Sequence, residues 1–334
     1  MLPQKARSWF EAWLVKNNLP QLTRIEGLAG DGSVRTFYRL RIANGYSFVL
    51  LCDPEWIFSK DYAAHQAHLK NKNIPVPEFF EVAPTLGYLI MEDLGDELLQ
   101  ARLLKKNAEK KKWLLEAVSL IVQLHGRTYP VPSDLPAASR RFDAHKYWDE
   151  ISFTIEHLHT RYLNLPPLST NQIGELKHFC KLIENIRPLV FSHRDYHTRN
   201  LLLKNEAIFM IDFQDARLGP PHYDLASLLY DAYVPLREME REELIETYQD
   251  QISKFALSHE INWQTFRHDL QRIAYQRVLK AAGSFASFYT RFGKKTHLSY
   301  LLPALGYAEA LQEKAIPKNE VSVFNVKQWM VTKP

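Results

Sequence analysis

Four polar residues crowd into FSHRDYHTRNLLL and the FMIDFQDARLGPPHYDL that follows it: His193, Asp195 and Asn200 in one loop, Asp212 on the next strand. A carboxylate and a carboxamide five positions apart, then a second carboxylate among apolar residues, is what phosphoryl transfer to a hydroxyl requires. Nucleotide phosphates are densely negative, so a divalent cation must offset them, and magnesium takes hard oxygen ligands, few of them from protein. Asn200 offers a carbonyl oxygen and Asp212 a carboxylate. Asp195 suits the remaining task, to orient or deprotonate the acceptor hydroxyl. Its pKa need not be high, because a largely dissociative transition state asks mainly for positioning.

The neighbours have more open readings. His193 reads as a support for the loop through hydrogen bonds. His197 either touches substrate or packs, Arg199 reaches a phosphate or faces solvent, and Gln214 and Asp215 bind an acceptor or close a turn on their own backbone. Asp212 lies between Phe209, Met210, Ile211 and Phe213. Burial is therefore expected for it, and a buried carboxylate needs a cation. Upstream, Gly30, Gly32 and Ser33 form a turn whose N–H groups can approach a phosphate.

These residues need two kinds of scaffold. The first ninety-odd residues read mainly as strands: RTFYRLRI, an Asn44-Gly45 hairpin turn, YSFVLLC, a short strand in IPVPEFFEVAP, and LGYLIMEDL. SKDYAAHQAHLKNKN interrupts them as a helix, with Ser59 as its expected cap. Beyond Gly95 the period becomes helical. Trp113, Ala117, Leu120, Ile121 and Leu124 recur at three- and four-residue steps after a cap at Asn107, and Gly126 is expected to end that run. Trp148, Ile151, Ile155, Leu158 and Tyr162 mark the next helix. The fold expected is α+β and bilobal: a small β-rich lobe over 1–94, and a larger helical lobe over 95–334 with the catalytic loop.

Composition excludes several classes. Forty-two basic against 38 acidic residues leave a net charge of +4, no footprint of nucleic-acid binding. Cys52 and Cys180 stand far apart without metal-ligand spacing and read as reduced core thiols. Trp9, Phe10, Trp13 and Leu14 fall on one face of an N-terminal helix that is expected to pack on the folded body rather than on a membrane. No apolar run of about 18 residues exists, so a soluble protein is expected; the reduced thiols point to the cytoplasm, and a monomer is expected.

In order, the glycine-containing turn, the apolar strand, MEDL, a helix ending QLHG, HRDYHTRN and IDFQDARLGPPHYDLASLL resemble the aminoglycoside phosphotransferase and choline kinase superfamily, relatives of the protein kinases. The resemblance implies that Asp195 is the catalytic base, that Asn200 and Asp212 bind Mg2+, that ATP is the co-substrate, and that Glu92 and Leu94 meet adenine through their backbone. It gives Asp224 the support of the catalytic loop, and it implies a protein-kinase-like fold with nucleotide bound by the 1–94 lobe and the substrate site in 95–334. The pairing of HRDYHTRN with IDFQDA, and the stretch QRVLKAAGSFASFYTRFGKKTHLSYLLPAL, are similar to the bacterial kinases of cell-wall recycling that act on the anomeric hydroxyl of N-acetylmuramate or N-acetylglucosamine. A sugar 1-phosphate would be the product. One departure stands out: YSFVLLC lacks the strand lysine that kinases use to hold phosphates, and the helix after it shows His65 and His68 rather than a pairing glutamate. Arg35, Arg39 and Arg41 are the candidate substitutes. The alternatives are a kinase of another small alcohol, such as an aminoglycoside or choline, and a nucleotide-binding module without turnover.

Overall fold

The computed structural model describes residues 2–28, 35–53, 59–105, 109–316 and 326–331. Gly30, Gly32 and Ser33 of the expected phosphate turn, and Asn107, lie outside the described residues. The chain divides into two compact units, Met1–Glu97 with Leu202–Asp215, and Leu98–Leu201 with Ala216–Pro334. A composition shift along the chain locates a change near Gly95, but it cannot assign Leu202–Asp215 to the first unit.

The first unit is an antiparallel sheet of β1 (Leu22–Leu28), β2 (Thr36–Ile42), β3 (Ser47–Cys52), β4 (Phe79–Ala83) and β5 (Tyr88–Glu92), in the order β1-β2-β3-β5-β4. Asn44-Gly45 closes the β2–β3 hairpin, with Gly45 at φ +86°. Helix α1 (Gln4–Lys16) buries Phe10, Trp13 and Leu14 against this sheet. Trp13 meets Phe48 edge-on at 5.1 Å and Phe10 stacks beside Trp13 at 5.7 Å. Each such ring contributes roughly 1.5–3 kcal/mol by leaving water, which accounts for the helix's aromatic face. Helix α2 (Ser59–Asn71) begins at Ser59, and its Tyr62 packs on Phe79 and Phe213.

The second unit contains α3 (Leu99–Leu104), α4 (Lys110–Thr128), α5 (Ala144–Thr154) and α6 (Thr170–Ile183), then strand β6 (Val190–Ser192). β7 (Leu201–Lys204) and β8 (Ala207–Met210), which fall in the first unit from Leu202 on, make a hairpin whose turn residues Asn205 and Glu206 both take positive φ, as a tight two-residue hairpin demands. β9 (Arg217–Gly219) pairs with β6. Helices α7 (His222–Leu229), α8 (Glu238–Ile252), α9 (Phe266–Phe292), α10 (Leu301–Ala315) and α11 (Lys327–Val331) complete it.

Two expectations are corrected here. Gly126 does not end α4, which runs on to Thr128; a Cβ at Gly126 would lie 2.4 Å from the ring of Phe255. The glycine makes room for an aromatic ring rather than a helix stop. The second helix is α-helical only to Thr154, and Ile155–Tyr162 continues as a wider π-helical segment. Of the expected face Ile151 and Leu158 are buried, whereas Trp148, Ile155 and Tyr162 are half-buried, and Tyr147, Glu150 and Thr154 also face inward. Gly283 of α9 lies against Thr154 so closely that a Cβ would fall 2.6 Å from its Cα. The crossing brings the polar face of α5 against α9.

Candidate active site

β6 ends at Ser192 and delivers the chain into the loop 193–200. The loop is pinned from behind by Asp224 of α7, a fully buried carboxylate. Its oxygens accept the backbone N–H of His193 at 2.7 Å and of Arg194 at 2.9 Å, and the Ser192 hydroxyl at 3.1 Å. His125 Nε2 donates to it at 3.3 Å, and the Tyr248 hydroxyl donates to Nδ1 of the same ring at 3.0 Å. Arg194 sits at φ +78°, a conformation that needs such support in a residue with a long side chain. His193 is buried, and the backbone N–H of Asp195 donates to its Nδ1 at 3.3 Å. The histidine thus shapes the loop from within.

Asp231 secures the far half. It accepts the N–H of Thr198 at 2.9 Å, the Thr198 hydroxyl at 2.6 Å and the N–H of Tyr233 at 2.8 Å. Its burial raises its pKa, against those three donors. Arg199 is committed as well: it donates to His297 Nε2 at 3.1 Å and lies 4.9 Å over the Tyr233 ring. The side-chain N–H of Asn200 donates to the backbone oxygen of Asp195 at 3.0 Å. That bond fixes the carboxamide so that its oxygen is the atom left for a cation.

Asp195 receives two cations from α9. Lys280 Nζ donates to its Oδ1 at 2.5 Å and Arg277 to the same oxygen at 3.3 Å. Burial works against the carboxylate charge, yet Lys280, Arg194 and Arg277 together hold its pKa well below the ordinary range. Burial also lowers Lys280, to about 8, with Arg277 and Arg194 adding to the effect against Asp195 and Glu150. Glu150 of α5 joins the network by accepting from Tyr223, Gln276 and Arg194. Desolvation opposes its charge, but Lys280, Arg194 and Lys146 bring it down to about 2. Burial keeps His197 neutral, at about 3, and its Nδ1 has no hydrogen-bond partner among the described residues. A cavity of about 70 Å³ is lined by Asp195, His197, Arg277 and Lys280 together with Tyr233, Ser284 and Phe285.

The remaining expected residues belong to the first unit. β8 stops at Met210, so Asp212 lies beyond the strand rather than on it, at φ +65° and exposed to solvent. This corrects the expectation of a buried carboxylate: Met210 and Phe213 are buried, but the turn at positive φ sends Asp212 outward. Gln214 Nε2 donates to Asp212 Oδ1 at 2.8 Å, so the glutamine steadies the acid. His65 Nδ1 donates to the carbonyl of Phe213 at 3.2 Å and tethers the same segment. Asp215 is half-buried. Glu92 closes β5, where Lys204 donates to it at 2.7 Å and to the Asp93 carbonyl at 2.9 Å; Leu94 is buried.

Of the three arginines, Arg39 is engaged elsewhere. It grips Asp93 with two N–H groups at 2.7 and 2.9 Å and reaches Asp96 at 2.7 Å. Arg41 donates to Glu26 at 3.2 Å, and Arg35 is half-buried just before β2. Among the described residues no group of three or more His, Cys, Asp or Glu could hold a metal ion. Two oxygen donors of the Asn200 and Asp212 type still fit magnesium, which keeps most of its shell for water and phosphate. Burial raises the Cys52 thiol to about 11 and the Cys180 thiol to about 12, and both are free. No described helix is long and apolar enough to cross a membrane.

Sequence spacing finds the loop but not Lys280, Arg277, Glu150 or Asp231. The available signal was QRVLK, two cations three residues apart on an otherwise apolar helical face.

Comparison with known proteins places this geometry in context. The model of the phosphotransferase enzyme family matches residues 25–258. An N-acetylmuramate/N-acetylglucosamine kinase from Neisseria meningitidis is 27% identical, over 86% of this chain and 85% of that protein. A protein of the same name from Caulobacter vibrioides is 24% identical, over 87% and 88%. Among solved structures, the ADP-bound aminoglycoside phosphotransferase APH(2'')-Ib superposes with a TM-score of 0.62 at 14% identity, over 94% of this chain and all of that one. The choline kinase LicA from Streptococcus pneumoniae does so with a TM-score of 0.63 at 12% identity, over 92% and 100%.

Proposed function

The chain belongs to the phosphotransferase enzyme family, and from that premise we propose that it transfers the γ-phosphoryl group of ATP to the anomeric hydroxyl of an N-acetyl amino sugar, N-acetylmuramate or N-acetylglucosamine. The product is the sugar 1-phosphate. The observation that carries the reading is the placement of Asp195 at the cavity, with Lys280 and Arg277 both donating to one oxygen of its carboxylate. A carboxylate suffices as the base for an acidic hydroxyl. The anomeric hydroxyl is more acidic than an ordinary alcohol because the ring oxygen stabilises its oxyanion. The names of the relatives from Neisseria and Caulobacter support the same two sugars as acceptors.

In this reading Asp195 Oδ2 accepts the hydrogen bond of the acceptor hydroxyl and takes its proton late, as the phosphoryl group arrives. Asn200, through its carboxamide oxygen, and Asp212, through its carboxylate, are the residues that would hold Mg2+. The ion when bound offsets phosphate charge. Glu92 and Leu94 offer backbone groups to adenine, Gly30, Gly32 and Ser33 offer N–H groups to the phosphates, and Arg35 is the arginine we assign to them. His193 is a support, while His197 faces the cavity and Gln214 and Asp215 flank the metal acid. The tyrosine and phenylalanine walls of the cavity suit the apolar face of a pyranose ring. The protein acts as a cytoplasmic monomer in recycling cell-wall sugar, without nucleic-acid or membrane partners.

The test is ADP release with magnesium-ATP against a panel of N-acetyl sugars, an aminoglycoside and choline. Turnover on N-acetylmuramate or N-acetylglucosamine is expected, and Asp195→Asn should lower it by about 10²-fold or more while nucleotide affinity stays the same. Turnover on an amine-bearing acceptor alone would overturn the reading.

A further inference from the structure

The two oxygens of Asp195 are used unequally. Lys280 and Arg277 both donate to Oδ1, and Oδ2 makes no hydrogen bond among the described residues. The two cations stand one turn apart on α9, and each is itself held. Arg277 Nε donates to the Ser227 hydroxyl of α7 at 2.8 Å, which fixes the plane of its guanidinium. Lys280 has little more than a tenth of its side chain exposed and lines the same cavity as Asp195. An ammonium group carries three donors, and Asp195 Oδ1 is the one hydrogen-bond partner of Lys280 among the described residues. Lys280 thus has two further donors at the lining of that cavity.

We propose that Lys280 is a positioning residue for the transfer: with Arg277 it clamps Asp195 through Oδ1, turns Oδ2 toward the acceptor hydroxyl, and keeps a cation beside the oxygen that receives the phosphoryl group. The inference rests on the reading of Asp195 as the residue that meets the acceptor. It explains why a catalytic carboxylate is surrounded by charge that weakens it as a base. Orientation is the larger requirement in a loose transition state, and a carboxylate free to rotate among solvent would offer its oxygens at random. Charge-assisted bonds to a single oxygen are short and directional, so they set the carboxylate plane as well as its place.

The inference separates a structural from a positioning role. Lys280→Met keeps the side-chain length and removes the charge, and Lys280→Arg restores a cation. In Lys280→Met, kcat should fall by about 10²-fold, the loss expected from misplacing a catalytic group. The KM for ATP should stay near that of the parent, and kcat is measured on the folded fraction because removing one partner of a largely buried pair lowers stability. Lys280→Arg should recover at least about tenfold of that loss. Lys280→Gln serves the same comparison if the methionine variant does not melt cooperatively. Unchanged kcat in the methionine or glutamine variant would overturn the inference, as would a loss that arginine does not recover. Asp195→Asn distinguishes the two levels: if it abolishes turnover while Lys280→Met does not, the clamp is wrong and the reading of Asp195 stands; if Asp195→Asn leaves turnover intact, the reading itself fails.

Discussion

The carboxylate of Asp224 accepts the backbone N–H of Arg194 at 2.9 Å, at the residue where the loop passes through φ +78°. A buried acid from α7 thus holds the one strained residue immediately before Asp195. The same acid holds His193 N–H and His125 Nε2 through its other oxygen, so both its oxygens are taken.

Asp224→Asn should therefore be costly although it is nearly isosteric. The new NH2 group would oppose donors that now point at an oxygen, leaving a buried N–H unsatisfied at about 1–3 kcal/mol. We expect the urea midpoint to fall accordingly and turnover to drop with it. An unchanged midpoint would mean that the loop holds its own shape.

Arg39 provides a second test. It binds Asp93 with two N–H groups, and both side chains are almost wholly buried. Removing one partner of a buried pair costs about 3–5 kcal/mol, so Arg39→Ala should be strongly destabilising. The exposed Asp96 contact adds little. Nucleotide affinity measured on the folded fraction should not change, whereas Arg35→Ala should weaken it by about tenfold through the loss of one charge-assisted bond. The reverse pattern would return the phosphate role to Arg39.

Acid should destabilise the fold in two stages. Burial holds His222 and His197 at about 3 in the folded chain against an ordinary 6.5. As pH falls below 6.5 the unfolded chain takes up these protons first, so stability that is whole above 6.5 is lost toward about 3. Glu150, opposed by desolvation but held by Lys280, Arg194 and Lys146, sits at about 2 against 4.5, and its contribution is lost between those values. Urea midpoints measured from about pH 7 to pH 4 should decline throughout. His222→Leu should flatten the upper part of that decline, and an unaltered slope would show that His222 does not titrate differently on unfolding.

Much of the site was legible because its parts are neighbours in sequence. His193, Asp195 and Asn200 share one loop, and the β-rich and helical periods declare themselves locally. What escaped was long-range. Lys280 meets Asp195 across 85 positions and Gln276 meets Glu150 across 126, and no spacing rule carries that far. Asp212 misled for a different reason: apolar neighbours imply burial only while a strand continues, and β8 had already ended at Met210. Gly126 misled because a glycine near a helix end signals a cap and a close contact equally well, and only the ring of Phe255 decides between them.

The most direct test of the central claim is phosphorus NMR of the product formed from N-acetylglucosamine or N-acetylmuramate with magnesium-ATP. A new phosphomonoester resonance coupled to the anomeric proton is expected, absent with Asp195→Asn. A phosphate coupled to the C6 protons, or no sugar phosphate while an aminoglycoside or choline is phosphorylated, would contradict it.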